Sequence, residues 1–299
     1  MNAGPASAHR AGYVAIVGRP NVGKSTLLNA FVGEKISIVS RKAQTTRHRI
    51  TGILSRADAQ FVFVDTPGFQ TEHGGALNKL MNRNVTQALR EVDAVVFVVE
   101  GGRYGPRDAA ALRQLPETTP AVLAINKIDQ MADRRALLPF LQRLSGERLF
   151  SAMVPVSASL EQGMAPLLDE VKKLLPEGDA IFAEDQITDR SERFLAAEMI
   201  REKLFRQLGE EVPYAATVMI EVFKEENGMR HIGATILVDR TGHKAIIIGR
   251  GGETLKRIAS DARRDMERLF GDKVFLEIWV KVKGGWADNA ALLKSLGYD

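Results

Sequence analysis

Residues Gly18 to Ser25 read Gly-Arg-Pro-Asn-Val-Gly-Lys-Ser, a glycine-rich stretch that ends in a lysine and a hydroxyl residue. In this pattern, successive backbone N–H groups and the start of a helix hold phosphate oxygens. We expect Lys24 to reach the β- and γ-phosphates of a nucleoside triphosphate and the Ser25 hydroxyl to ligate Mg²⁺. The predicted phosphate contacts are Gly18, Arg19, Pro20, Asn21, Val22, Gly23, Lys24, Ser25 and Thr26.

A second polar motif indicates which base the site reads. The tetrapeptide Asn126-Lys127-Ile128-Asp129 follows the apolar run 121–125, so it lies at a predicted strand end. A carboxylate at Asp129 can accept hydrogen bonds from guanine N1–H and the 2-amino group together, whereas adenine lacks this pair of donors. We expect Asn126 and Lys127 to brace the loop. Backbone N–H groups of Ser157 and Ala158, which end the last predicted strand, could reach the guanine carbonyl.

Two further stretches could sense the γ-phosphate. The sequence Asp65-Thr66-Pro67-Gly68-Phe69 follows an apolar strand, so Asp65 would hold Mg²⁺ through water and the Gly68 N–H would touch the γ-phosphate. The polar stretch between Ser37 and His48 contains two threonines, and Thr46 is preferred over Thr45 as the residue that completes the Mg²⁺ shell. Hydrolysis would remove that contact and release the segment. An ordinary solvated loop is the alternative for this stretch.

Because these elements occur in order across residues 12–175, the sequence resembles the P-loop GTPase family. The resemblance implies catalytic roles for Lys24, Thr46, Gly68 and Asn21. Ras-like members place a water-orienting glutamine where this chain has Phe69. Some GTPases that replace this glutamine use K⁺ held by a phosphate-loop asparagine, the position of Asn21. We therefore expect slow intrinsic hydrolysis that K⁺ accelerates.

The composition is that of a soluble globular chain. It has 299 residues, 45% of them apolar and 26% charged, and no cysteine. The lack of cysteine excludes disulfides, a thiolate zinc site and a cysteine nucleophile, and it suits a reducing cytoplasm. Residues 1–11 are expected to form a disordered tail and not a secretion signal. No apolar run approaches the roughly 18 to 20 residues that a membrane-spanning helix needs.

Apolar strands and amphipathic helices alternate up to about residue 175, which predicts an α/β domain with a doubly wound, mostly parallel sheet. Its functional loops should lie at the carboxyl ends of the strands. The predicted strands are 13–18, 49–55, 60–65, 94–100, 121–126 and 153–157, and the predicted helices are 24–32, 77–91, 107–115, 134–144 and 164–175. Residues 176–189 are predicted to be a linker, since the pattern breaks there at Pro176 and Gly178.

Residues 190–299 follow another order and predict a smaller α+β domain. Helices are expected at 191–208 and 253–269, with strands at 216–223, 230–238 and 274–282. Asn227-Gly228 supplies a two-residue hairpin signal between the first two strands. Phe275 and Trp279 alternate with apolar neighbours and are expected in the core, whereas Trp286 fits either core or surface.

An apolar segment followed by Gly249-Arg250-Gly251-Gly252 and a basic helix resembles the clamp of type II KH RNA-binding domains. Glycines let a sugar–phosphate backbone approach closely, and nearby cations neutralise phosphates. Residues 240–283 carry eleven Lys or Arg and six Asp or Glu, so they supply the whole positive excess of a chain whose net charge is +4. Gly251 replaces a polar or basic residue common inside such clamps. The predicted RNA contacts are Ile248, Gly249, Arg250, Gly251, Gly252, Lys256 and Arg257.

A GTPase domain followed by one type II KH domain resembles the Era family of bacterial GTPases, and Arg41-Lys42-Ala43-Gln44-Thr45-Thr46-Arg47 is typical of its first switch. The resemblance implies GTP and GDP as ligands, Mg²⁺ as cofactor, and binding near the 3′ end of 16S rRNA during 30S subunit assembly. It also implies a cytoplasmic monomer with peripheral association with the inner membrane. The alternative is an RNA-binding adaptor whose GTPase domain acts as a timer on other structured RNA. A relative with tandem GTPase domains is excluded because the chain has one phosphate loop.

Overall fold

The structure, a computed structural model, describes residues 8–40, 42, 45–66, 85–209, 211–289 and 293–294. These residues fall into two compact units. The first takes the described residues up to Ser37 and those from Thr46 to Asp189, and the second takes Ile38–Thr45 together with the residues from Arg190 onward. None of the helices within the described ranges is long and apolar enough to cross a bilayer.

The first unit alternates strands and helices, as the sequence predicts. Its strands are β1 (Arg10–Val17), β2 (Ile50–Arg56), β3 (Ala59–Asp65), β4 (Ala94–Glu100), β5 (Ala121–Asn126) and β6 (Ala152–Pro155). Its helices are α1 (Lys24–Val32), α2 (Pro106–Leu112), α3 (Leu137–Ser145) and α4 (Met164–Lys172), and residues 85–90 are also helical.

These strands form one sheet in the order β2–β3–β1–β4–β5–β6, in which β2 runs antiparallel to its neighbour and the other pairs are parallel. Strands β3 and β5 are buried along their whole length because helices cover both faces of a parallel sheet. The predicted α/β fold with a mostly parallel sheet is therefore confirmed. The arrangement brings the carboxyl ends of β1, β3, β4 and β5 to one edge, where the predicted motifs lie.

The ends of this unit differ from the sequence-based boundaries. Strand β1 begins at Arg10, inside the predicted tail, because it pairs in register with β3 from Ala59 onward. The residues predicted to be a linker pack along the first unit: the Ile53 N–H donates to Ile187 O at 2.8 Å, and Gly52 and Thr188 form an antiparallel bridge. This stretch covers β2, the edge strand, and bonds outer backbone groups that do not pair with β3.

The second unit contains helices α5 (Glu192–Gln207), α6 (Thr241–Ile248) and α7 (Glu253–Phe270), and strands β7 (Ala216–Glu226), β8 (Met229–Val238) and β9 (Lys273–Val282). Strand β8 pairs antiparallel with β7 and parallel with β9. The hairpin turns at Asn227 and Gly228, both at positive φ, as the predicted two-residue turn requires. Helices pack on one face of the sheet around Ile200, Leu204, Ile236 and Ile258. The apolar segment before the clamp lies in helix α6.

Candidate functional site

The predicted phosphate loop connects β1 to α1. Its last glycine, Gly23, has φ 100° and precedes the first helical residue, Lys24. A Cβ added to Gly23 would lie 2.3 Å from Asn126 Nδ2, so this close approach of two loops requires glycine. Among the described residues, no side chain caps the start of α1. The helix therefore offers backbone N–H groups and a positive dipole end to an anion.

Lys24 is the cation of this loop, and it is buried. Its ammonium donates to Gly18 O at 3.0 Å and to Arg19 O at 3.1 Å. Burial lowers the pKa of Lys24 to about 8, although the Asp65 carboxylate opposes the shift. A buried cation held by carbonyl oxygens is suited to binding a phosphate, because a bound anion would offset the loss of hydration.

Three hydroxyls converge on one oxygen of Asp65. Its Oδ2 accepts from Ser25 Oγ at 2.8 Å, from Ser37 Oγ at 2.9 Å and from Thr46 Oγ1 at 3.3 Å. Ser25 Oγ and Thr46 Oγ1 lie 3.0 Å apart. The other carboxylate oxygen, Oδ1, is buried and has no hydrogen-bond partner in the described residues. Burial raises the pKa of Asp65.

These residues fit a magnesium site. Mg²⁺ prefers oxygen ligands and retains several of its waters, so a carboxylate oxygen that lacks a partner in the described part of the chain can receive a hydrogen bond from such a water. The structure brings together the predicted ligands Ser25, Thr46 and Asp65. Thr66 is also buried, and its hydroxyl donates to Ile16 O at 3.0 Å, which fixes the start of the segment after β3. Pro67, Gly68 and Phe69 lie outside the described residues.

The predicted base-reading loop is braced in the way the motif suggests. Asn126 Nδ2 donates to Val22 O at 2.9 Å, which ties this loop to the phosphate loop. Asn126 Oδ1 accepts from the backbone N–H groups of Lys127 at 2.8 Å and Ala158 at 3.0 Å. The Asp129 carboxylate accepts from Ser157 Oγ at 2.5 Å, so its side chain is oriented from the next strand end. Ile128 packs against the core of the first unit.

Glu100 and Asp108 are functional candidates that the motifs do not reveal. Glu100, at the end of β4, accepts from Arg19 Nη2 at 3.1 Å and from Lys127 Nζ at 3.3 Å. Lys127 Nζ also donates to Asn21 O at 2.7 Å. Burial would raise the pKa of Glu100, but attraction to Lys127 and Arg19 outweighs it and lowers the pKa. Asp108 on α2 pairs with Arg19 Nε at 3.0 Å. The signal for Glu100 was its position at the carboxyl end of a parallel strand.

Within the second unit, the described first-switch residues Val39, Lys42 and Thr45 contact α5 or the residue that follows it. The Val39 N–H donates to Glu202 Oε1 at 3.2 Å, and Lys42 Nζ donates to Leu208 O at 2.5 Å. Arg201 donates to Thr45 O. Arg201 and Glu202 are both about 1% exposed. These contacts, together with the ion pairs Arg201–Glu198 and Lys203–Glu202, explain why α5 carries buried charges among its apolar core residues.

The predicted RNA clamp lies between α6 and α7. Gly249, Gly251 and Gly252 all have positive φ, and a Cβ added to either of the last two would meet open space among the described residues. Arg250, Lys256 and Arg257 are exposed, whereas Ile248 is half-buried against the core of the second unit. Helix α7 starts after Gly252, where the described residues supply no side-chain cap. An exposed glycine turn, a helix N-terminus and three cations can hold a polyanionic backbone.

The expectation that Phe275 and Trp279 lie in the core is wrong. They are 48% and 46% exposed, on the face of the sheet away from the helices. Their strand, β9, has apolar residues on both faces, so alternation alone did not identify the covered one. Trp286, which fitted either environment, is fully buried, and its indole N–H donates to Ala215 O at 3.0 Å.

Comparison with known proteins agrees with this geometry. Residues 13–127 match the family model of 50S ribosome-binding GTPases, and residues 211–287 match the KH domain. GTPase Era from Nitrosomonas eutropha is 57% identical over 294 residues, covering 98% of this chain and 99% of the relative. GTPase Era from Bordetella avium is 53% identical over 292 residues, covering 98% and 99%.

Two solved structures resemble the whole chain. One is a point variant of Era from Aquifex aeolicus bound to GDP and AlF4⁻, with a TM-score of 0.93. The other is Era in complex with MgGDPNP and nucleotides 1506–1542 of 16S ribosomal RNA, with a TM-score of 0.92. Each is 38% identical and covers 97% of this chain and 99% of the solved chain.

Proposed function

Because this chain belongs to the Era family of GTPases and therefore hydrolyses GTP, we propose that it uses the reaction to time its hold on small-subunit ribosomal RNA. The observation that carries the proposal is the presence of two separate phosphate-binding turns, one in each unit. The Gly18–Ser25 loop, with its buried lysine, suits a nucleotide, and the exposed Gly249–Gly252 turn suits a nucleic-acid backbone.

The first unit holds GTP or GDP with Mg²⁺. Lys24 and the N–H groups at the start of α1 bind the phosphates, and Asp129 reads guanine. Ser25 and Thr46, together with Asp65 acting through water, would hold Mg²⁺, which neutralises phosphate charge as it builds up during hydrolysis. A related Era was solved with MgGDPNP, in agreement with this assignment.

Intrinsic hydrolysis is expected to be slow because Phe69 cannot orient the attacking water as a glutamine does. We assign Asn21 as a K⁺ ligand that supplies charge stabilisation at the phosphates. Its backbone, at φ 66°, is fixed by the bond from Lys127 Nζ to its carbonyl. If K⁺ binds at Asn21, Asn21→Ala should abolish K⁺ stimulation of GTP hydrolysis. Equal turnover of the wild type in matched Na⁺ and K⁺ buffers would contradict the assignment.

The second unit supplies the RNA clamp. KH domains hold about four nucleotides at their glycine turn, and Arg250, Lys256 and Arg257 are placed to neutralise the phosphates. A related Era binds nucleotides 1506–1542 of 16S rRNA. We assign to this chain the same RNA region, near the 3′ end, and a role in assembly of the 30S subunit.

Nucleotide state would reach the clamp through the first switch. Thr46 contacts Asp65 in the nucleotide site, whereas Val39 and Thr45, which precede it, are held on α5 by Glu202 and Arg201. A change at Thr46 on hydrolysis therefore acts on a segment that packs against the first helix of the RNA-binding unit. Such a segment can carry an order–disorder switch.

A second candidate function is an adaptor that binds other structured RNA, with GTP hydrolysis as a timer. The open, basic clamp favours it, because phosphate contacts carry no sequence information.

For location and oligomeric state, we propose a cytoplasmic monomer with peripheral association with the inner membrane. Fractionation and sedimentation of the native protein would test both statements.

Crosslinking in living cells, followed by sequencing of the attached RNA, tests the main proposal. Crosslinks concentrated near the 3′ end of 16S rRNA, and lost in a Gly252→Asp variant, would support it. Crosslinks spread over unrelated structured RNA would favour the adaptor. Crosslinks that persist in the variant would show that the Gly249–Gly252 turn is not the RNA site.

A further inference from the structure

Ser37 is a buried hydroxyl beside the nucleotide site that belongs to none of the predicted motifs. It is 2% exposed, and its Oγ donates to Asp65 Oδ2 at 2.9 Å. The other two donors to this oxygen, Ser25 and Thr46, are the hydroxyls assigned to Mg²⁺. Ser37 is therefore the donor that bonds Asp65 without also being assigned as a ligand of Mg²⁺.

The position of Ser37 is fixed by the helix that carries the phosphate loop. Asn29, on α1, accepts from the backbone N–H groups of Ile36 at 3.1 Å and Ser37 at 2.9 Å. Its Nδ2 donates to Ser37 O at 2.9 Å. The Asn29 side chain thus bonds both N–H and C=O groups of this turn. Ile36 and Ile38 are buried on either side of Ser37.

Because these bonds attach Ser37 to α1, its position should not depend on the switch segment that follows it. Thr46 is expected to leave Asp65 when the γ-phosphate is lost, because its contact with the metal depends on that phosphate. Ser37 is anchored to α1, which also carries Lys24 and Ser25, and so keeps its place in either nucleotide state. A persistent donor to Oδ2 would leave Oδ1, which has no partner within the described residues, available to accept from a water of the metal.

We propose that Ser37 is a positioning residue for magnesium: it orients the Asp65 carboxylate in both the GDP and GTP states, and Asn29 holds Ser37 for that purpose. The inference rests on the GTP and Mg²⁺ site proposed above. It assigns Asn29 and Ser37 to metal affinity, although neither residue belongs to the phosphate loop Gly18–Ser25.

The test is the Mg²⁺ dependence of GDP release, measured with a fluorescent GDP on the full-length protein. In Ser37→Ala, the Mg²⁺ concentration that gives half-maximal slowing of release should rise about tenfold, the worth of one hydrogen bond to a charged group. The release rate in excess EDTA should equal that of the wild type. Ser40→Ala is the matched control, because the Ser40 hydroxyl accepts from the backbone N–H of Lys42 and is not assigned to Asp65.

A double-mutant cycle tests the role of Asn29. Asn29→Ala should raise the Mg²⁺ requirement, and adding Ser37→Ala should change it little further, because both act through one hydroxyl. An unchanged Mg²⁺ requirement in Ser37→Ala would overturn the inference, as would faster release that is equal with and without Mg²⁺. If the wild type shows no Mg²⁺ effect, the magnesium assignment itself fails and this inference fails with it.

Discussion

The molecule has two glycine turns, Gly18–Gly23 and Gly249–Gly252, which have similar backbone geometry but different surroundings. Each ends in a glycine at positive φ and opens a helix that no side chain of the described residues caps. The first surrounds a buried lysine and contacts the base-reading loop through Asn126. At Gly251 and Gly252 the second faces open space within the described residues, beside exposed cations.

This difference decides how selective each turn is. Burial strengthens the interactions of the first turn, and a wrong ligand there leaves polar groups unpaired, so discrimination is large. The second turn meets its ligand in water, so its affinity comes from several weak phosphate contacts that salt screens. The first turn therefore selects one nucleotide, whereas the second holds an RNA backbone through its phosphates.

The largest effect should come from changing the base-reading carboxylate. Asp129→Asn converts an acceptor of two guanine donors into a group that suits xanthine, so the preference for GTP over XTP should swing by about 1,000-fold or more. Competition binding of GTP and XTP measures this. A mutant that still prefers GTP would mean that Asp129 does not read the base. RNA binding with saturating nucleotide should stay unchanged.

The converse variant acts on the second turn alone. Gly252→Asp puts an anion where a phosphate would lie and should weaken RNA binding by at least about 100-fold while leaving GTP affinity intact. Gly252→Asn is the matched control, since it has nearly the same shape and tolerance of positive φ without the charge. Electrophoretic or fluorescence titration measures both. Equal RNA affinities for the Asp and Asn variants would argue against a phosphate at this turn.

Binding of GTP at the first turn should also depend on pH. Lys24, with a pKa of about 8, must be protonated to bind phosphate. The contribution of Lys24 to GTP affinity should therefore be nearly constant below pH 8 and fall up to about tenfold per pH unit above it, with proton uptake on binding. Calorimetry in buffers of different ionisation enthalpy measures this uptake. A Lys24→Arg variant, which stays charged, should bind more weakly but without the decline, and a decline that persists in it would assign the effect to another group.

The smallest effect is expected for one cation of the clamp. Lys256→Gln should weaken RNA binding only several-fold and reduce the slope of log affinity against log salt by about 0.7, as for one lost phosphate contact to a single strand. Arg268→Gln, on the same helix but near its far end, should change neither quantity. GTP affinity should depend little on salt in all three proteins. An unchanged slope in Lys256→Gln would remove this residue from the RNA path.

The sequence predicted the strands, most helices and the motifs of the first unit because each motif follows an apolar strand, and strand ends meet at one edge of a parallel sheet. It did not predict Glu100, Asp108 or Ser37 as site residues. Their partners lie in other segments, and local spacing does not record such pairings. The turn at Asn227 needed only local backbone preferences, and it was predicted.

The exposed and buried faces of the second unit were harder to predict for the same reason. Phe275 and Trp279 lie on an apolar strand whose uncovered face depends on where α5 and α7 pack. Arg201 and Glu202 resemble surface charges in the sequence of α5, yet they are buried. Besides partners on the same helix, they contact the Thr45 carbonyl and the Val39 N–H, which lie more than 150 positions away in the chain.

The most direct test of the account is RNA affinity as a function of nucleotide state. A fluorescent RNA spanning nucleotides 1506–1542 of 16S rRNA should be titrated with protein that is loaded with GDPNP, loaded with GDP, or free of nucleotide. If hydrolysis times the hold on RNA, affinity with GDPNP should exceed the other two by about tenfold or more, within the usual range of coupling between sites. Equal affinity in the three states would contradict the account.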